Sequence, residues 1–239
     1  MEYETRLLRR ETTAEGTLAF YFERPAGFAF QAGQNATFSL VEPTEHDSMG
    51  PSRTFTIASA PHEAELMVAT RMRDTAFKRI LRAAAPGTRL RLDGPAGSMV
   101  LGADAGKPVA CLAGGIGITP FLSMARDAAH RQLPHRLHLF YSIRRPEDAP
   151  FLGELRALER VNPRFRFVPT MTQMEKSSLP WDGAQGPIGM NLLASMLDNP
   201  KEATYYFAGP PSMAMSMYDL LQRLGVAADD MLSEEFYGY

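Results

Sequence analysis

The sequence predicts a β + α/β fold, in which an antiparallel β domain precedes a parallel-sheet α/β domain. Three observations predict it. Short β-rich runs separated by turn residues fill the first part of the chain, strands and helices alternate in the second part, and a glycine-rich turn follows the first strand of that second part. A chain of 239 residues can hold two such domains, since single domains run from about 50 to 250 residues.

The first part contains five predicted strands and one predicted helix. Turn residues such as Gly27, Gly33 and Pro61 separate the strands, a spacing typical of an antiparallel sandwich or barrel. The strands are expected at residues 18–22, 35–40, 54–58, 66–70 and 89–93. A helix is expected at 75–84, because the apolar residues there recur at i, i+3, i+4 and i+7.

The second part alternates between strands and helices. Residues 102–107 are small, polar and flexible, so we divide the chain into domains 1–103 and 104–239. Strands are expected at 109–113 and 137–141 and helices at 120–130 and 151–161, and the segments 165–168, 190–197, 205–208 and 212–224 continue the alternation. This order predicts a parallel sheet with helices on both faces. In the helix at 151–161 we expect Leu152, Leu155, Leu158 and Val161 to face inward.

Composition excludes several classes of protein. The net charge is -2, with no basic excess, so we expect no nucleic-acid partner. The single cysteine, Cys111, excludes an internal disulfide, a cysteine zinc site and a four-cysteine iron–sulfur cluster. The five histidines form no ligand pair with a carboxylate, so we expect no metal site. The charged N-terminus and the lack of a long apolar run predict a cytoplasmic protein with no membrane partner.

The glycine-rich turn at residues 114–120 is the first candidate site. It follows an apolar strand and opens a helix, with Thr119 expected as the N-cap and Pro120 as the first helical residue. Most such turns are only tight connections. Here Gly114, Gly115 and Gly117 would let backbone N–H groups approach a pyrophosphate at the positive end of the helix. We therefore expect phosphate binding at this turn.

A second anion site is expected in the first domain. The run from Arg53 to Thr56 alternates its side chains along a strand, and alone it could be a plain strand with an exposed arginine. The run from Arg71 to Lys78, however, leads from a strand into the one helix of that domain. Helix N–H groups beside cations attract anions.

Five runs in the same order resemble the ferredoxin–NADP reductase superfamily, and the resemblance covers nearly the whole chain. They are Phe30-Gln-Ala-Gly-Gln, Arg53-Thr-Phe-Thr, Gly94-Pro-Ala-Gly, the turn at 114–120 and Ala208-Gly-Pro-Pro-Ser-Met. The resemblance implies an N-terminal antiparallel β-barrel flavin domain followed by a parallel-sheet Rossmann-like nucleotide domain. It also implies an NAD(P)H-dependent flavin oxidoreductase.

The resemblance assigns roles in flavin binding. Arg53 would hold the flavin pyrophosphate, Phe55 would pack on the isoalloxazine ring, and Thr56 would place its hydroxyl near the hydride-accepting nitrogen. The pyrophosphate site would be completed by Arg71, Thr75, Ala76 and Phe77, which implies FAD rather than FMN. Phe55 stands where the family usually has tyrosine.

Further roles concern the coenzyme and the C-terminus. The coenzyme would bind Gly114, Gly115, Gly117, Thr119, Pro120, Ala208, Gly209 and Pro210. Ala208 stands where many relatives have cysteine. Phe236 or Tyr239 could cover the flavin, with Glu235 as a nearby proton donor. The arginine pair Arg144–Arg145 favours the 2′-phosphate of NADPH, whereas the stretch 170–173 lacks an arginine that many NADPH-using relatives carry, so the coenzyme choice stays open.

The expected function is therefore hydride transfer from NAD(P)H to FAD and electron transfer onward to a separate acceptor, such as ferredoxin or a haem protein. Two alternatives stay open. The protein could be an NAD(P)H:flavin reductase that uses diffusible flavin, or an electron-transfer subunit without independent turnover.

Overall fold

A computed structural model describes residues 2–235 of the chain. It contains twelve strands and five α-helices among these residues. The strands are β1 Glu2–Ala14, β2 Thr17–Glu23, β3 Asn35–Leu40, β4 Ser52–Thr56, β5 Glu65–Arg71, β6 Arg89–Ala96, β7 Val109–Gly114, β8 Leu137–Ile143, β9 Phe165–Met171, β10 Ala184–Gln185, β11 Thr204–Gly209 and β12 Met231–Glu235. The helices are α1 Ala76–Ala83, α2 Thr119–Arg131, α3 Leu152–Val161, α4 Met190–Ala194 and α5 Pro211–Leu224.

The first six strands form one antiparallel sheet in the order β4-β3-β6-β1-β2-β5. Its two edges meet beyond β4, where the Ala58 N–H donates to the Met67 carbonyl at 2.7 Å. The sheet therefore curls into a barrel, and its interior is filled mainly by aromatic and aliphatic side chains. Strand β1 is missing from the sequence prediction because most of its residues are polar or charged and exposed.

The last six strands form one parallel sheet in the order β10-β9-β8-β7-β11-β12. Successive residues of its central strands face opposite sides, so Ala110 and Leu112 pack with α4 and α5 while Cys111 and Ala113 pack with α2 and α3. The predicted fold class, a barrel followed by a parallel α/β unit, is confirmed. The Cys111 side chain is buried in β7, and this burial raises the pKa of its thiol.

The helices of the second sheet bury one stripe each. In α3, Leu155 is fully buried and Leu152 and Leu158 pack against the same cluster. The prediction that Val161 also faces inward is wrong: Val161 is 72% exposed, because the helix ends at that residue and leaves it beyond the packed stripe. Within residues 2–235, no helix is long and apolar enough to cross a bilayer.

An apolar contact joins the barrel to the parallel sheet. Ala19, Met67 and Met99 of the first part belong to the same buried cluster as Phe121 and Met124 of α2. Because these side chains lie between the two sheets, they hold the sheets against each other.

Polar contacts reinforce this junction. The Ser123 hydroxyl donates to the Ser59 carbonyl at 2.7 Å, and Arg126 Nη1 donates to the Ala58 carbonyl at 3.2 Å. Arg126 also donates through Nε to Glu154 at 2.5 Å. The hydrogen bonds from Ser123 and Arg126 thus hold helix α2 against the segment that directly follows β4.

We expect the barrel core to be sensitive to truncation at its centre. Phe22 is fully buried, and its ring centroid lies 4.8 Å from that of Phe38. Phe22→Ala should lower the free energy of unfolding by about 3–5 kcal/mol, the usual cost of removing a buried aromatic ring. Urea unfolding followed by circular dichroism measures this.

The control is Tyr218→Ala, at a side chain that is 44% exposed, which should change stability by less than about 0.5 kcal/mol. Equal destabilisation by the two variants would contradict the assignment of Phe22 to the barrel core.

Candidate functional site

A cleft of about 510 Å³ opens where the parallel sheet meets the barrel. One wall is made by the ends of β7, β8 and β11 and by the start of α5, and the other contains Thr17, Arg71 and Arg73 of the barrel. The carboxyl ends of parallel strands are the usual binding edge of an open α/β sheet, and this volume suits a ligand of cofactor size.

The glycine-rich turn forms the back of this cleft. Residues Gly115–Ile118 form one 3₁₀ turn that leads directly into α2. Thr119 is not the N-cap, contrary to the prediction: it has helical backbone angles, and its hydroxyl donates back to the Ile116 carbonyl at 3.1 Å. Thr119 cannot be the N-cap because the 3₁₀ turn before it already has helical geometry from Gly115 onward.

The glycines of the turn have different environments. Gly114 and Gly115 line the cleft. Gly117 lies behind them, where a Cβ atom would be 2.3 Å from the Ala208 carbonyl oxygen and 2.8 Å from the Gly209 nitrogen. Gly117 is therefore required for close packing of the turn on the end of β11.

Three arginines give the cleft a positive wall. Arg71, Arg73 and Arg144 line it together with Asp148. The Asp148 carboxylate accepts from Arg145 Nε at 2.9 Å and lies 3.7 Å from Arg71 Nη2. Its hydrogen bond from Arg145 is the main reason that the pKa of Asp148 is lowered.

Positive charges outnumber negative ones on this wall, where three arginines face one aspartate. Burial is the main cause that lowers the pKa of Arg71, and the charge of nearby Arg144 adds to it. Arg145 does not line the cleft, because it pairs with Asp148 and with Glu15 at 3.0 Å. The cleft therefore favours a ligand with negative charge.

A second group of predicted residues lies at the base of the barrel. Arg53 Nη1 lies within hydrogen-bonding distance of the carbonyls of Met49, Gly50 and Ser52, at 3.0, 2.9 and 2.7 Å. The guanidinium carbon lies 5.3 Å from the centroid of the Phe77 ring. Its Nη2 atom is buried and has no hydrogen-bond partner among the described residues.

Helix α1 begins beside Arg53. The Thr75 hydroxyl caps it by accepting from the Lys78 N–H at 3.4 Å. The Ala76 N–H donates to the Asp47 carboxylate at 2.6 Å. A carboxylate therefore already lies at the N-terminus of this helix, which is consistent with an anion-attracting position.

Phe55 and Thr56 are both buried at the end of β4. The Phe55 ring faces Phe38 and Phe77, with centroids 6.1 and 5.9 Å apart. Thr56 is 3% exposed, and its hydroxyl has no hydrogen-bond partner among the described residues. An unsatisfied hydroxyl in such a place is typical of a group that meets a ligand.

A chain of contacts links the end of β4 to the cleft. Thr56 pairs with Asn35 in the barrel sheet. The Asn35 amide donates to Glu234 Oε1 at 2.9 Å, and Glu234 pairs with Ala208 in the parallel sheet. The fold therefore brings Thr56 and Ala208, predicted for two different cofactors, to one interface.

Glu234 is a site residue that the sequence prediction missed. Its Oε2 atom is buried without a hydrogen-bond partner in the described chain, and burial raises the pKa of this carboxyl. The predicted proton donor, Glu235, is the last residue of β12 and pairs with Gly209. Phe236 and Tyr239 lie outside the described residues.

The predicted residues thus fall into three groups. Those that line the cleft are Arg71, Gly114, Gly115, Arg144, Gly209 and Pro210. Arg53, Phe55, Thr56 and the start of α1 lie on the barrel instead, while Gly117, Thr119, Pro120 and Ala208 are buried behind the cleft. In the described part of the chain, no cluster of histidine, cysteine or carboxylate side chains is arranged to hold a metal ion.

Comparison with known proteins agrees with the fold. A family model described as the oxidoreductase NAD-binding domain matches residues 111–219. The chain is 30% identical to ferredoxin–NADP reductase B of Sorangium cellulosum over 188 residues. The aligned segment covers 77% of this chain and 74% of that protein. It is also similar in fold to a ferredoxin NADP⁺ reductase from Neisseria gonorrhoeae with bound FAD and NADP, with a TM-score of 0.78, 22% identity and 98% coverage of both chains.

Another relative is longer than this chain. Reductase component 2 of terephthalate 1,2-dioxygenase from a Comamonas species is 25% identical over 209 residues, which is 87% of this chain and 59% of that protein. The chain spans less than two thirds of the length of the first curated relatives it matches.

We expect Gly117→Ala to destabilise the protein by about 1–3 kcal/mol, because its Cβ would be forced against the backbone of β11. Urea unfolding measures the change. The matched control is Gly153→Ala, since nothing lies within 4 Å of a Cβ there and alanine is a better helix former than glycine. A Gly117→Ala protein as stable as the control would show that the turn does not pack tightly on β11.

Glu234 predicts a dependence of stability on pH. Because the folded state raises the pKa of this carboxyl, the folded protein holds this proton more tightly than the unfolded chain. The free energy of unfolding of the wild type should therefore fall relative to Glu234→Gln as pH rises from about 4 to about 7. Denaturant unfolding across this range measures the difference, with exposed Glu202→Gln as control. A constant difference between wild type and Glu234→Gln would contradict the burial of this carboxyl.

Proposed function

The chain belongs to the ferredoxin–NADP reductase superfamily, and we propose that it is an NAD(P)H-dependent oxidoreductase that uses FAD and passes electrons to a separate acceptor. One observation carries the proposal: the contacts from Thr56 through Asn35 and Glu234 to Ala208 join the barrel to the coenzyme edge of the parallel sheet. The proposed division is a flavin domain, 1–103, and a coenzyme domain, 104–239.

The cleft is suited to NAD(P)H. We assign the coenzyme pyrophosphate to the N–H groups of the turn at Gly114 and Gly115, both of which line the cleft. The space beside Gly115 is open, whereas the Met213 side chain packs against Gly114. Arg71 also lines the cleft, so we assign it to the coenzyme phosphates, which differs from its predicted place on FAD. Arg144 is the candidate for the 2′-phosphate of NADPH, and the choice between NADH and NADPH stays open.

The residues at the base of the barrel fit FAD. Arg53 Nη2 and the Thr56 hydroxyl are buried polar atoms without hydrogen bonds in the described chain, and such atoms are costly unless a partner meets them. The N-terminus of α1 adds donors suited to a pyrophosphate. Phe55 is 4% exposed, so its proposed role is to support the flavin ring from within the barrel.

Bound FAD would supply the capacity to accept a hydride and to release electrons singly. The protein residues would position the reactants. Thr56 would direct its hydroxyl at the hydride-accepting nitrogen, and Ala208 would leave room for the nicotinamide because its side chain is a single methyl group. Glu234 would be the carboxyl at the interface that takes up or releases a proton, since burial raises its pKa.

The acceptor is proposed to be a separate protein, such as ferredoxin, a haem protein or an oxygenase component. The name of the Comamonas relative describes a reductase component of a dioxygenase, which supports an acceptor of this kind. A diffusible-flavin reductase is the second candidate, favoured by the Asp47 contact described above, because a carboxylate at the α1 N-terminus opposes FAD phosphates. A non-autonomous subunit and a cytoplasmic location stay predictions.

The test is the visible spectrum of the purified protein before and after anaerobic addition of NADH or NADPH. The expected result is a yellow protein, or one that becomes yellow on addition of FAD, whose flavin absorbance bleaches with at least one coenzyme. A protein that remains colourless with FAD would overturn the proposal. Flavin that passes freely through gel filtration while NAD(P)H is oxidised would favour the diffusible-flavin alternative.

Arg53→Ala should weaken FAD binding by roughly 1.5–3 kcal/mol, the scale of a hydrogen bond to a charged group. The measurement is the dissociation constant for FAD, determined by quenching of flavin fluorescence. Because Arg53 also contacts three backbone carbonyls, a thermal melt checks that the variant is folded. Arg82→Ala, in the last turn of α1, is the control and should leave FAD affinity unchanged. Unchanged affinity in Arg53→Ala would remove Arg53 from the FAD site.

A further inference from the structure

The loop between β3 and β4 brings a carboxylate to the proposed pyrophosphate site. Asp47 Oδ2 accepts from the Ala76 N–H at 2.6 Å, and Oδ1 accepts from the Met49 N–H at 2.9 Å. Oδ1 also lies 3.9 Å from Arg53 Nη2. The Ala76 N–H and Arg53 Nη2 are donors that we assign to the FAD pyrophosphate.

The Asp47 carboxylate is held in its charged form. The backbone N–H of Ala76 is the main cause that lowers its pKa, and the N–H of Met49 and the charge of Arg53 lower it further. At neutral pH this side chain is therefore an anion at the N-terminus of α1, where negative charge is favoured.

The other nearby carboxylates have a different partner. Glu45, in the same loop, pairs with Arg79 at 2.8 Å, and Asp74 pairs with Arg79 as well. Asp47 is thus the carboxylate of this group that lies against both Arg53 and the first N–H of α1.

We propose that Asp47 competes internally with the FAD pyrophosphate and so determines how tightly this chain holds its flavin. This inference rests on the proposed function. Two anions that share one N–H donor and one guanidinium repel each other. FAD therefore either displaces the Asp47 carboxylate or binds beside it with a less favourable binding free energy. Asp47 thereby lowers the affinity for FAD, so that bound FAD exchanges with free FAD more readily than it would if only the other contacts acted.

The test compares flavin binding by wild type and Asp47→Asn. Asparagine keeps an oxygen that can accept from the Ala76 N–H but removes the charge. Flavin-stripped protein is titrated with FAD and, separately, with riboflavin, which has no phosphate. We expect Asp47→Asn to lower the dissociation constant for FAD about tenfold, which corresponds to about 1.4 kcal/mol, and to leave that for riboflavin unchanged.

Two further variants complete the experiment. Glu45→Gln removes the same charge from the same loop but from a residue that pairs with Arg79, so FAD affinity should remain that of the wild type. Asp47→Ser keeps a hydroxyl acceptor without charge and should tighten FAD binding as asparagine does. Thermal melts identify any variant that fails to fold.

The outcomes separate this inference from the proposed function. If wild type binds FAD and the folded Asp47 variants bind it equally or more weakly, Asp47 is a structural cap and the inference is wrong. An equal gain in riboflavin affinity would also overturn it, because the phosphate would not be involved. If neither the wild type nor any folded variant binds FAD, the proposed function fails as well.

Discussion

Helix α2 makes the contacts on which both parts of the site depend. It continues directly from the glycine-rich turn at the cleft, and its Ser123 and Arg126 donate to the carbonyls of Ser59 and Ala58 just beyond β4. Carbonyl groups buried away from water need donors, so α2 cannot shift without leaving them unsatisfied. One helix therefore fixes the coenzyme turn and the end of the proposed flavin strand relative to each other.

Local patterns predicted most of the fold, because apolar spacing reflects which face of an element is buried. The alternation in β3 and the helical spacing in α1 both correspond to observed elements. Strand β1 was missed because its charged residues hide that pattern, although Leu7 is fully buried. The N-cap at Thr119 was wrong because a preceding 3₁₀ turn, set by packing on β11, determined where the helix begins.

The site was harder to predict than the fold. The glycine-rich turn has a local signature, and its place at the cleft followed from strand order. The contact between Asn35 and Glu234, however, joins residues 199 positions apart, and the Asp47 contact with α1 depends on how a loop folds back on the barrel. No spacing rule reports such contacts, because they exist only once two elements have packed together.

The buried thiol of Cys111 affects how this protein tolerates oxidants. Oxidation of cysteine proceeds through the exposed thiolate, and the Cys111 side chain is 3% exposed with its pKa raised by burial. Its strand leads directly into the glycine-rich turn, so a modified sulfur there would disturb the coenzyme cleft. A dissolved oxidant such as peroxide would therefore reach the exposed thioethers of Met49 and Met215 more readily than the buried sulfur in the sheet beneath the cleft.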